Sequence, residues 1–161
     1  MTRSQKQRET HLIGLISDTH GLLRPEVVQA FKEAHMIIHA GDIGKPDVLS
    51  SLNAIAPVVA VRGNMDRGGT WTNNFPATEV VEIGEVMIYV IHDLMNLDLD
   101  PAAGGFKAVI SGHSHRPTMK EKNDILYVNP GSAGPRRFTL PASVALLRIK
   151  ERSLDVQFFK L

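Results

Sequence analysis

Five stretches of this chain carry side chains that bind metals: Asp18-Thr19-His20, Gly41-Asp42, Gly63-Asn64, His92 and Gly112-His113-Ser114-His115. Imidazole nitrogens together with carboxylate or amide oxygens suit divalent first-row cations. Two such cations roughly 3.5–4 Å apart need a ligand that bridges them. A carboxylate has an oxygen for each, and Asp42 is the candidate. Asp18 and His20 stand two residues apart, as do His113 and His115. On an extended segment that spacing turns both side chains the same way, which a helix would not do. The chain holds no cysteine, so a thiolate zinc site and a disulfide scaffold are both excluded.

The elements before these stretches must bring them together. Leu12–Ile16, Met36–Ala40 and Pro57–Val61 are apolar runs that suit strands buried on both faces. Between them, Pro25 to Ala34 has Val27, Val28, Ala30, Phe31 and Ala34 at helical spacing, and Asp47 to Ile55 follows Pro46. Both predict helices that begin at a proline, where its missing N–H costs nothing. Alternating strand and helix predicts a parallel sheet with right-handed crossovers. In such sheets ligands bind beyond the carboxyl ends of the strands, where Asp18, Asp42 and Asn64 stand.

After Phe75 the texture changes to strands: Thr78–Ile83, Val86–Ile91, Lys107–Ser111, Ile125–Asn129, Ala142–Lys150 and Leu154–Phe159. Gly84-Glu85 and Glu121-Lys122-Asn123-Asp124 predict hairpin turns. Asp100-Pro101-Ala102-Ala103 predicts a short helix capped by Asp100. A second sheet packed on the first is the expectation.

With 161 residues, 43% of them apolar, the chain predicts one domain over residues 11–161. Formal net charge is +1 with no basic stripe, so nucleic acid is not an expected partner. No apolar run approaches the roughly 20 residues of a membrane helix. Residues 1–10 are polar and basic and predict a disordered tail, not a secretory leader. The cytoplasm is the expected location. Exposed edge strands would allow a homo-oligomer.

The series Asp18-x-His20, Gly41-Asp42, Gly63-Asn64-x-Asp66, His92 and Gly112-His113-x-His115 resembles the calcineurin-like metallophosphoesterase family, above all its small single-domain bacterial and archaeal phosphodiesterases. Asn129-Pro130-Gly131-Ser132 with Pro135-Arg136 is similar to a turn of the small members. The resemblance implies an α/β (α+β) fold: a four-layer αββα sandwich of two facing mixed β-sheets flanked by helices. It implies two divalent ions, manganese foremost, with iron, nickel, zinc or magnesium as alternatives. One would be held by Asp18, His20, Asp42 and His115, the other by Asp42, Asn64, His92 and His113. A hydroxide bridging the pair would attack phosphorus in line, with no covalent enzyme intermediate. Asn64, Asp66 and His113 are the residues expected to serve catalysis. The expected substrate is a small phosphoester, a diester more than a monoester. The alternative is a non-catalytic protein-binding scaffold of the same fold, similar to the retromer scaffold subunit of eukaryotes. Every ligand position here holds a competent residue, which favours the enzyme.

Two departures stand out. Larger relatives have a histidine after the Asn that can protonate the leaving group; here Met65 has no proton to give. Asp93 follows His92 where the family usually has glycine, and the segment from Leu94 to Gly105 is shorter than the family's helical insert, which predicts an unusual substrate rim. His39 is expected to orient a ligand loop, His35 to sit at a helix–strand junction, and His11 to belong to the tail. Asp66 is expected to hold the Asn loop. Arg62 and Arg136 could meet phosphate. Trp71, Phe75 and Arg67-Gly68-Gly69-Thr70 could form a substrate rim or pack as a surface loop.

Overall fold

Strands β1 (Thr10–Ile16), β2 (Met36–His39) and β3 (Val58–Ala60) run parallel, linked by helices α1 (Pro25–Ala30) and α2 (Pro46–Asn53). The computed structural model describes residues 9–66, 71, 74–137 and 139–161. Two antiparallel strands, β9 (Ser143–Lys150) and β10 (Ser153–Lys160), extend this sheet on the other side of β1, in the order β10-β9-β1-β2-β3. The second sheet contains β4 (Thr78–Ile83), β5 (Val86–Ile91), β6 (Ala108–Ile110), β7 (Thr118–Lys122) and β8 (Ile125–Asn129), in the order β4-β5-β6-β8-β7. It is mixed too, since β5, β6 and β8 are parallel while β4 and β7 pair antiparallel at its edges.

The two sheets face each other, as the αββα expectation requires. Ile13, Leu15 and Ile38 of the first meet Ile88, Val90, Ile110 and Val128 of the second. Strand β5 shows why its sequence is apolar throughout: Val86, Ile88 and Val90 enter this inner core, while Tyr89 and Ile91 pack outward on Phe106 and Val109. On the outer face of the first sheet, α1 and α2 lay Val27, Phe31, Val48 and Leu52 against Ile37 and Val144. Phe31 and Leu52 are fully buried, each contributing about 1.5–3 kcal/mol.

The short helix expected at Asp100 is not formed. The Asp100–Ala103 stretch is a turn, in which Asp100 Oδ1 accepts from the Ala102 N–H at 3.0 Å. Gly104 and Gly105 follow at once and leave no room for a helix to propagate. Among the described residues, these turns and one 3₁₀ turn, Leu94–Asn96, capped by Asp93, lie over the second sheet. Strand β7 was not expected: Glu121 and Lys122, read as part of a turn, belong to it. The turn itself is Asn123-Asp124, with φ of 53° and 63°, as a type I′ hairpin demands. β7 is exposed from end to end and polar, so it carries no apolar signal. Strand β1 starts at Thr10, paired with Lys150, so His11 lies in the strand. Residues 1–8 of the expected tail fall outside the described residues. Among the described residues no helix is long and apolar enough to cross a membrane.

Candidate metal centre

The β1–β2 pairing continues past the strand ends as hydrogen bonds between two loops. Asp18 N–H donates to the Gly41 carbonyl (3.0 Å), His20 N–H to Asp42 (3.0 Å) and Gly21 N–H to Ile43 (2.8 Å). The Asp18-x-His20 and His113-x-His115 pairs are not extended, contrary to the sequence expectation. Asp18, His20, Asp42, His113 and His115 all have φ between 46° and 70°. Such left-handed backbone costs roughly 1–2 kcal/mol per non-glycine residue, so the surrounding structure must impose it. The side chains converge through tight turns out of the strands, not through the pleat. Two glycines make the turns possible: a Cβ on Gly63 would collide with the Asp42 carboxylate, and one on Gly112 would collide with Ser17 Oγ.

The turns aim their side chains into one pocket. Asp18 Oδ1 lies 3.3 Å from His115 Nε2 and 3.9 Å from both His20 Nε2 and His92 Nε2. Asp42 Oδ2 lies 3.3 Å from His92 Nε2 and 3.9 Å from His20 Nε2. Asn64 Oδ1 is 3.1 Å from His92 Nε2. Asp18, His20 and His115 thus place ligand atoms within 4.8 Å of one another, and so do Asp18, Asp42 and His92. Atoms sharing a cation at about 2.0–2.2 Å stand roughly 3–4 Å apart, which these spacings match. His113 is the exception. Its side chain is 46% exposed and its Nε2 lies 3.6 Å from Asp93 Oδ2, outside both groups. Its ring still touches that of His92, at a centroid distance of 5.3 Å.

The other atoms of these groups are already engaged. Asp18 Oδ2 accepts from Ser17 Oγ (2.7 Å) and from the His113 N–H (3.1 Å). Asp42 Oδ1 accepts from the Met65 N–H at 2.8 Å. His92 Nδ1 donates to the Ala40 carbonyl at 2.7 Å. That bond keeps a proton on Nδ1, so a neutral ring has its lone pair on Nε2, facing the oxygens of Asp42 and Asn64. These oxygens and this nitrogen call for positive charge among them, supplied by a proton on Nε2 or by a cation. Among the described residues, Asp18 Oδ1, His20 Nε2 and His115 Nδ1 are buried without a hydrogen-bond partner. The residues present fit a divalent cation on this ground.

Electrostatics point the same way. Burial pushes the Asp18 carboxyl above its usual range, against the pull of His92, Ser17 and His115. Burial acts on Asp42 likewise, but His92 and the Met65 N–H outweigh it and hold that carboxyl low. Burial alone would lower His92; Asp42, Asp18 and the Ala40 carbonyl raise it instead. His115 is lowered, by burial first.

A surrounding set of hydrogen bonds holds the turns. Asp66 Oδ1 accepts from Ile43 N–H (2.9 Å) and Gly44 N–H (3.2 Å), and its Oδ2 from Gly63 N–H (2.9 Å). It clamps the Asp42 and Asn64 loops together, and its carboxylate faces the backbone. His39 accepts from the Gly41 N–H through Nδ1 (3.1 Å) and meets Thr19 Oγ1 through Nε2 (3.0 Å), while Thr19 donates to the Ile43 carbonyl (2.8 Å). Asn129 donates to the Gly112 carbonyl (2.9 Å) and to Ser114 Oγ (3.0 Å), and Ser132 Oγ donates to the Asp18 carbonyl (3.0 Å). Ser17, Thr19, Asn129 and Ser132 were not read as functional residues. Their one signal is adjacency to ligands and to the Asn-Pro-Gly-Ser turn.

Other candidates lie elsewhere. Arg62 donates to the Phe75 carbonyl (2.9 Å) and Arg136 to Leu161 (3.3 Å). Trp71 and Phe75 pack on the core beneath the helices, while residues 67–70 lie outside the described residues. His35 accepts from the Leu12 N–H at 3.1 Å, at the helix–strand junction where it was expected.

The model of the calcineurin-like phosphoesterase superfamily domain matches residues 12–152. A protein of Methanothermobacter thermautotrophicus named a probable metallophosphoesterase is 38% identical over 161 residues, covering 92% of each chain. A phosphodiesterase of Methanocaldococcus jannaschii is 28% identical over 137 residues, covering 74% of this chain and 82% of its own. The solved Vacuolar Protein Sorting 29 of Cryptosporidium parvum superposes with a TM-score of 0.75 at 20% identity, covering 94% of this chain and 98% of that one; it shares the fold. Strand-end acids and histidines in one pocket, held in a sandwich of two mixed sheets, thus accompany a match across most of the sequence, and the chain belongs to the calcineurin-like phosphoesterase superfamily.

Proposed function

We propose that this protein is a phosphodiesterase that works with two divalent cations, manganese foremost. Asp18, His20, Asp42 and His115 would hold one; Asn64 and His92, with Asp42 between, would hold the other, and His113 would complete it by turning from Asp93. The observation that carries this reading is the convergence of Asp18, His20, Asp42, His92 and His115 ligand atoms within 4.8 Å in two groups, with Asp18 Oδ1 and His20 Nε2 buried and unpartnered. When bound, such ions supply a water deprotonated near neutral pH and positive charge for the phosphoryl oxygens. The chain's part is to fix this pocket: Asp66 and His39 lock the loops, and Asp18 and Asp42 present one free oxygen each.

Met65, 63% exposed beside Asn64, cannot protonate a leaving group. Either weakly basic leaving groups are favoured, or water serves as the acid in place of a side chain. The name of the Methanocaldococcus relative supports a diester.

Hydrolysis of bis-p-nitrophenyl phosphate with added manganese tests the reading, with a chelated sample and Asp42→Asn as controls. Turnover that needs the metal and Asp42 is expected. Wild type no faster than Asp42→Asn across several divalent ions would instead favour a binding scaffold.

A further inference from the structure

Among the described residues, no α-helix covers the outer face of the second sheet beside the metal centre. Strand β7 sets Thr118, Lys120 and Lys122 opposite Asn129, Tyr127 and Ile125 of β8. Side chains alternate along a strand, and Val128, opposite Met119, is the one turned into the core between the sheets. The other row therefore faces outward. Across from it stands the short segment after His92, with Asp93, Met95 and Leu97. Between them lies an open cavity of about 550 Å³, the size of a small-molecule site.

Its two ends differ in chemistry. Gly112 and His113 of the metal centre line one end, and Lys120 and Lys122 line the opposite side. Tyr127, Leu97 and Met95 line it too, and Met95 is 90% exposed. Among the described residues neither lysine has an ion-pair partner. At about 3.4 Å per residue, Lys120 and Lys122 stand roughly 7 and 14 Å beyond Thr118. Thr118 pairs with Asn129, whose amide holds the Gly112 and Ser114 loop.

We propose that this cavity receives the leaving half of the substrate, and that this half is a flat aromatic or nucleoside group carrying a second phosphate. The proposal rests on the phosphodiesterase reading for the place of the scissile phosphorus. The ring would lie on Tyr127 and against Leu97, since any base offers a face for stacking. The second phosphate would meet Lys120 and Lys122, ammonium groups with no carboxylate to neutralise them. Water attacks phosphorus, the P–O bond to this half breaks, and its oxygen leaves as a free hydroxyl with a proton taken from water, since Met65 has none to give.

The test is binding of adenosine diphosphate to the metal-free full chain, by calorimetry and by shifts of Tyr127 resonances. Adenosine and inorganic phosphate are the control ligands. The variant is Lys120→Ala/Lys122→Ala, on an exposed strand where folding is spared. Wild type should bind the diphosphate, and the variant should bind it roughly tenfold or more weakly with adenosine affinity unchanged. Equal affinities in the two proteins, no saturable binding, or shifts confined to residues far from Tyr127 would overturn the proposal. The variant should keep wild-type turnover of bis-p-nitrophenyl phosphate, which lacks the second phosphate. Absence of turnover in wild type sinks the phosphodiesterase reading, whereas lysine-independent binding sinks the subsite, so the two failures are read separately.

Discussion

His39 Nε2 and Thr19 Oγ1 lie 3.0 Å apart with no exposure to solvent, and through this contact the Asp18 loop is bonded to the Asp42 loop. Thr19→Val keeps the shape but removes both the contact with His39 and the donor to Ile43. It should cost about 1–3 kcal/mol, since two buried polar groups lose their partner. Manganese affinity should fall roughly 10–100-fold, as when partners of metal ligands are removed elsewhere. Thermal unfolding and metal titration check the two effects.

The same buried histidine makes stability depend on pH. Burial lowers its pKa from 6.5 to about 3. The unfolded chain therefore takes a proton at His39 below about 6.5, whereas the folded protein refuses it until about 3. Stability from this group is complete above that window and is lost as pH falls through it, by up to about 1.4 kcal/mol per pH unit. In metal-free protein His39→Gln should be less stable at neutral pH but should flatten the acid limb. Urea midpoints between pH 7 and pH 4 on both proteins check it; parallel curves would exclude His39 as the source.

Asp18 is a carboxylate in a place that favours a neutral group unless a cation is present. Asp18→Asn should raise the melting temperature of the metal-free protein by roughly 2–4 °C per kcal/mol gained. It should also abolish the stabilisation that manganese gives wild type. Scanning calorimetry with and without chelator reads both, and a variant that metal still stabilises fully would place the ion elsewhere.

Asp93 holds His113 toward the rim, 3.6 Å from its carboxylate. Asp93→Gly loses the cap on the following 3₁₀ turn, worth about 1 kcal/mol, but frees the imidazole. The weaker of two manganese affinities should then tighten several-fold. An unchanged isotherm would mean that His113 takes no part in binding.

Much of the centre could be read from the residues. Asp18, Asp42 and Asn64 follow apolar runs in strand–helix alternation, and a parallel sheet must gather such residues at one edge. The left-handed backbone at Asp18 and His20 was not legible, because it is imposed by hydrogen bonds to a loop more than twenty residues away. The rim orientation of His113 depends on Asp93, across the pocket. Strand β7 was hidden by its polarity: a solvent-facing edge strand rich in lysine has no apolar pattern to betray it. The absent helix over the second sheet was foreshadowed by the short Leu94–Gly105 segment, yet Asp100-Pro101 imitates a helix start and misled the local reading.

Manganese bound per chain at saturation, counted by elemental analysis after equilibrium dialysis, bears most directly on the caged pair. Wild type should hold two ions per chain, and Asp42→Asn one or none, since Asp42 Oδ2 stands between His20 and His92. A wild-type count of one or fewer, or the same count in both proteins, would show that these side chains do not share a pair of cations.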